Sequence, residues 1–131
     1  MVNKLKNILF WRTEGFEDLK TPQNTIARFE LSYKALIIGY LTLNEGKWSF
    51  SYSNDFVNQK WLLPIIDFPN VKKVYVSEEL WPFFTSRIPS NSQPDVQNII
   101  RSRNIDAGNE VFLLNLFGKR TITNPFLLEM A

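Results

Sequence analysis

The sequence predicts an α+β fold in which a small antiparallel β-meander comes first and short α-helices follow and pack on it. Two observations carry this prediction. Apolar residues recur at every second position between Ala27 and Ser53, the period of a half-buried strand, and at three- and four-residue steps between Pro94 and Phe117, the period of a helix. A third observation locates the junction of the two halves. Residues Trp61 to Asn91 gather Pro64, Pro69, Pro82 and Pro89 among Phe68, Tyr75, Trp81, Phe83 and Phe84, so proline-set turns and aromatic plugs replace regular periodicity there.

With 131 residues, the chain is long enough for one domain with a true hydrophobic core. We divide it into an N-terminal extension, residues 1–26, and a domain over residues 27–131. In the extension, Ile8, Leu9, Phe10 and Trp11 form an apolar knot that reads as a short strand, and Lys20 to Asn24 form a break. The first clear strand covers 27–33, with Ala27, Phe29, Leu31 and Tyr33 on one face and Arg28, Glu30 and Ser32 on the other. A second covers 35–43, where Gly39 marks a bulge or a close approach. Asn44, Glu45 and Gly46 then make a turn, Gly46 supplying a positive φ. The third strand covers 47–53 and sets Trp48, Phe50 and Tyr52 against Ser49, Ser51 and Ser53.

A helical turn capped by Ser53 or Asn54 is expected over 54–61, with Asp55 near its positive end. Leu62 to Ile66 and Val71 to Val76 read as edge strands or extended coil. Ser77 has the character of an N-cap, because Glu78 and Glu79 follow in what would be the first helical turn, and Pro82 would open a second helix holding Phe83 and Phe84. Arg87 to Gln93 is loop. Pro94 starts an amphipathic helix over 94–104 through Val96, Ile99 and Ile100. Asn109 caps a helix over 110–117 that turns Val111, Leu114 and Phe117 inward, with Phe112 and Leu116 close by, and Gly118 stops it. Thr121 to Thr123 read as a final strand, and the apolar Phe126, Leu127, Leu128 and Met130 indicate a terminus that docks.

Composition excludes several kinds of chemistry. The chain has no Cys and no His, which removes thiolate nucleophiles, imidazole bases and the usual ligands of zinc, copper and haem. Fifteen basic and thirteen acidic residues leave a net charge of +2, interspersed along the chain and too small to mark a nucleic-acid binder. There is no membrane-length apolar run and no signal-peptide core, so a soluble, cytoplasmic protein is expected. Glycine-rich phosphate loops and nucleophile-elbow motifs are missing, and the acidic pairs have the spacing of solvated helix ends, so neither an enzyme nor a cofactor site is expected. A single-stranded nucleic-acid platform made of Trp48, Phe50 and Tyr52, helped by Lys72, Lys73, Arg101 and Arg103, competes with burial of the same face under the helices.

The candidate site residues are Trp81, Phe83, Phe84 and Arg87. Three rings and a cation within seven positions cannot all be buried by one helix face, and a Trp at a proline-broken helix end is well shaped as a partner anchor.

The stretch from Ile37 to Ser53 (IIGYLTLNEGKWSFSYS), the Leu62 to Pro69 run (LLPIIDFP), the PFF of Pro82 to Phe84 and the IPSN of Ile88 to Asn91 together resemble the N-terminal domain of HipA-type toxin kinases. Gly39 to Leu41, Phe50 with Tyr52, and the Phe83–Phe84 pair stand where that family has its short motifs. Ile88 to Asn91 replaces a Leu-Pro-Glu-Gly loop, and the chain departs from the pattern before residue 27 and after Lys119. The resemblance implies a non-enzymatic antitoxin, similar to the HipS component of three-part HipBST-type systems. Its partner would be a HipT- or HipA-like serine/threonine kinase, with a helix-turn-helix HipB-like protein as a further member of the complex. An accessory subunit that completes such a kinase is the alternative.

Overall fold

The computed structural model describes residues 19–90 and 92–131, so the expected strand around Ile8 to Trp11 falls outside the described residues. β1 (Ala27–Tyr33), β2 (Leu36–Asn44) and β3 (Lys47–Tyr52) form the expected meander. The alternation sets its register: Phe29 lies opposite Leu41, Leu41 opposite Phe50, and Leu43 opposite Trp48, and all five side chains are fully buried. A one-residue slip would turn the whole row to solvent. The β2–β3 turn has Glu45 at φ 52° and Gly46 at φ 77°, the pair of left-handed residues that matches a two-residue hairpin to the strand twist.

Gly39 serves both purposes its position suggested. The β1–β2 register shifts beside it, where Leu31 faces Gly39 but Ser32 faces Ile37, leaving Ile38 as the extra residue. A Cβ on Gly39 would lie 2.9 Å from Cζ of Phe50 and would also collide with the Ser51 carbonyl oxygen.

Two further strands complete the sheet in the order β4-β3-β2-β1-β5, all antiparallel, with β4 at Tyr75–Ser77 and β5 at Leu127–Met130. α1 (Asn54–Asn58) is capped by Ser53, whose hydroxyl accepts from the Phe56 amide at 3.0 Å. α2 (Pro82–Thr85) and α3 (Pro94–Ser102) both begin on proline, where the missing N–H costs no helical bond. α4 (Glu110–Phe117) is capped by Asn109 Oδ1, which accepts from Val111 and Phe112, and ends at Gly118. No helix among the described residues is long and apolar enough to cross a membrane.

Three local expectations are corrected. Ser77 does not cap a helix: it ends β4 as the ladder partner of Trp48, and its hydroxyl accepts from the Glu79 amide in a turn. Pairing with β3 holds the chain extended there, and helix begins only at Pro82. Residues 121–123 are not a strand, since the Thr121 and Thr123 hydroxyls bond each other and Ile122 is fully exposed. The final strand starts beyond Pro125, where Leu128 reaches the core opposite Leu31. In α4 it is Leu113 that is buried beside Val111 and Leu114, while Phe112 stays half exposed.

Candidate functional site

The elbow between β3 and α2 is organised by one ring. Phe68, fully buried, stacks on Phe50 at 4.6 Å and meets Tyr75 at 5.0 Å, Trp81 at 5.2 Å and Phe83 at 6.3 Å edge-on. Edge-to-face contacts of this kind add roughly 0.5–1.5 kcal/mol each beyond area burial. The loop that carries Phe68 is fixed by Tyr52, whose hydroxyl donates to the Phe68 carbonyl at 2.6 Å and accepts from the Ile65 amide at 3.0 Å. Burial pushes the Tyr52 phenol up to about 12, so it keeps its proton and remains a donor at neutral pH.

The four predicted site residues divide into two pairs. Trp81 sits at the N-cap of α2 with its ring against Phe68 and Phe84, and Phe83 packs edge-on to Phe84 at 5.0 Å; both keep part of their surface in solvent. Phe84 is fully buried against Phe50, and Arg87 is 3% exposed. Expectation and structure differ at these two residues, which act as supports and offer no surface to a partner. The physical reason is spacing. On the single turn from Pro82 to Thr85, Phe84 points into the sheet, and Arg87, three residues on, follows it inward.

Arg87 has a structural task that the sequence does not reveal. Its Nη1 donates to the carbonyls of Gly118 at 2.9 Å and Lys119 at 3.2 Å, and its Nη2 donates to Asn124 Oδ1 at 3.0 Å and the Phe126 carbonyl at 3.1 Å. Its Nε has no partner. Burial brings its pKa down to about 10, which still leaves it charged at neutral pH. The fork thus ties the 118–126 segment across α2, and its carbon centre lies 6.0 Å from the Phe83 ring.

Sequence reasoning also missed Trp61, Leu63 and Ile66, which are 66%, 80% and 91% exposed. Trp61 leans on Tyr33 at 6.2 Å, and Tyr33 meets Phe126 at 5.9 Å, whose carbonyl Arg87 holds. The available signal was Pro64 within an apolar run, which prevents any periodicity from burying the run. In contrast, Trp48, Phe50 and Tyr52 all lie beneath the helices, at 0%, 0% and 8% exposure, which overturns the stacking-platform reading.

On the other side of α2, a cleft of about 570 Å³ is lined by Lys20, Thr21, Glu78, Glu79, Pro82 and Glu110, among others. Glu110 is 5% exposed and accepts from the Thr21 hydroxyl at 2.6 Å, and that hydroxyl accepts in turn from Trp48 Nε1 at 3.0 Å. Burial raises the Glu110 pKa, and the charge of Glu79 adds to the effect. Among the described residues no group of three or more acidic side chains is arranged to hold a metal ion.

Residues 29–123 match the HipA N-terminal domain, a span that runs from β1 through all four helices and stops before β5. A comparison with curated proteins found no match. The match spans well over half of the chain and contains the meander from Phe29 onward, the Phe68 elbow and Arg87, and on that basis the chain belongs to the HipA N-terminal domain family.

Proposed function

We propose that this chain is a non-enzymatic partner that binds and neutralises a HipA- or HipT-type serine/threonine kinase, as an antitoxin does. The family suggests the toxin–antitoxin context. The observation that carries the reading is that Trp81 and Phe83 keep partly solvent-facing rings that pack from behind on Phe68 and Phe84, beside the Arg87 fork. Rings held in place before binding lose little conformational freedom on docking, which is how interface anchors contribute most.

Phosphoryl transfer by a kinase requires its lobes to close so that phosphates, metal and catalytic groups align. An aromatic anchor seated between the lobes would hold them apart. No reacting group from this chain is required.

The test is kinase activity with and without the chain. Phosphorylation by the cognate kinase should fall when the purified chain is added in excess. Trp81→Ala, checked for folding by circular dichroism, should weaken binding by about 2 kcal/mol, roughly thirtyfold in Kd. Full neutralisation by Trp81→Ala would remove the anchor assignment, and stimulation of the kinase by the parent chain would make it an accessory subunit.

A further inference from the structure

β4 is one of the two edge strands of the sheet, and its outer side is open among the described residues. β4 pairs only with β3, and among the described residues no strand lies on its other side. Exposed edges are usually blunted by a very short strand, a charged side chain, a proline or a bulge, and at three residues β4 has the first of these. Residues 74–77 read Val-Tyr-Val-Ser, with high strand propensity and no charge, proline or bulge among them. Tyr75 turns inward onto Phe68, while Val74 and Val76, two residues apart on the opposite face, are 58% and 62% exposed.

The charges lie at the two ends, and they have opposite sign. Lys72 and Lys73 precede the strand, and Glu78 and Glu79 follow it, all four exposed. A sequence that reads basic, apolar, acidic is complementary to itself in the antiparallel direction. Run parallel, it would set lysine beside lysine and glutamate beside glutamate.

From this we propose that two copies of the chain associate through β4, edge to edge and antiparallel, to join their sheets. The register follows from the pleat. Residues directly opposite must point to the same face, so the two-fold axis passes through a residue and not between two. With the axis at Tyr75, Val74 of each copy lies opposite Val76 of the other, and the turn at Lys72 and Lys73 that precedes each strand lies beside the bend at Glu78 and Glu79 that follows the other. Moving the axis to Val76 would set Val74 against Glu78. The contact is isologous, so each favourable pair occurs twice. A strand this short buries a small area, so the dimer should be weak, in the micromolar range. This inference stands apart from the kinase reading and uses none of its residues.

Sedimentation velocity of the full chain over a concentration series tests it. The parent should shift from monomer to dimer as concentration rises. Val76→Lys, at an exposed site, should weaken association at least about tenfold. Lys72→Glu should weaken it several-fold, and the double variant Lys72→Glu with Glu78→Lys should return to within about twofold of the parent. A monomer at every concentration overturns the proposal. So does a dimer indifferent to Val76→Lys, or a double reversal that associates no better than Lys72→Glu alone.

Discussion

Arg87 and Glu110 flank the same short helix and are the two charged side chains buried among the described residues, yet the fold treats them in opposite ways. Arg87 spreads its charge over four oxygen acceptors, so the loss of water is largely made good and the 118–126 segment is held in return. Glu110 receives the Thr21 hydroxyl and stands in the first turn of α4, where the helix dipole favours an anion, but it also faces Glu79. Burial lowers the pKa of the first and raises that of the second, in both cases because water is lost. The difference lies in the partners. A buried charge whose terminal nitrogens are all met is a strut even with its Nε unpaired, and one that faces a like charge is a strain on the native state.

The sharpest way to break the comparison is at Arg87. Arg87→Met would leave the Gly118 and Phe126 carbonyls without a donor, take one of two donors from the Lys119 carbonyl and from Asn124 Oδ1, and release the C-terminal segment, for a loss of about 3 kcal/mol in urea denaturation. Arg87→Lys should recover only part of this, because one ammonium cannot serve the two pairs of acceptors that the planar fork spans.

A smaller loss is expected at Thr21. Thr21→Val keeps the shape but leaves Trp48 Nε1 and Glu110 without their shared hydroxyl, which should cost about 1–2 kcal/mol in the same assay.

The smallest effect carries the opposite sign. Glu110→Gln retains an acceptor for Thr21 and removes a charge the site disfavours, so it should stabilise the protein slightly at neutral pH. The pH dependence gives the decisive reading. Because the folded pKa is raised, the native state holds more protons than the unfolded chain between the ordinary carboxylate value and the raised one. Stability from this group is complete below that window and falls as pH rises through it. Denaturation midpoints followed from about pH 4 to about pH 8 should show that decline in the parent and a flatter profile in Glu110→Gln. Equal profiles would mean that Glu110 is not a burden, and the contrast with Arg87 would collapse.

How far the fold was legible differs along the chain. The meander was legible to within one residue at each strand end because period two leaves one choice of face, and a wrong register would expose Phe29, Leu41 and Phe50 together. The α3 and α4 starts were legible because Pro94 and Asn109 act within their own first turn. Ser77 misled because capping and strand pairing compete for the same residue, and the competition is decided by Trp48, far away in the chain. β5 was displaced for a similar reason: Thr121 to Thr123 have the propensity, but only Leu127 and Leu128 can reach the open side of β1. At the candidate site, the crowding of Trp81, Phe83 and Phe84 was visible. Which of them faces outward depended on Phe68, thirteen residues before Trp81.

By itself, then, the order of residues determined the class of the fold, the three-strand core of its sheet, two helix starts and the absence of thiol and imidazole chemistry, since each of these depends on local spacing or composition. Only the tertiary structure decided that Arg87 is an internal tie, that Trp61 is exposed, and that β4 presents a bare edge between oppositely charged ends. Those outcomes depend on which distant segments meet, and a side chain's burial is a property of what covers it.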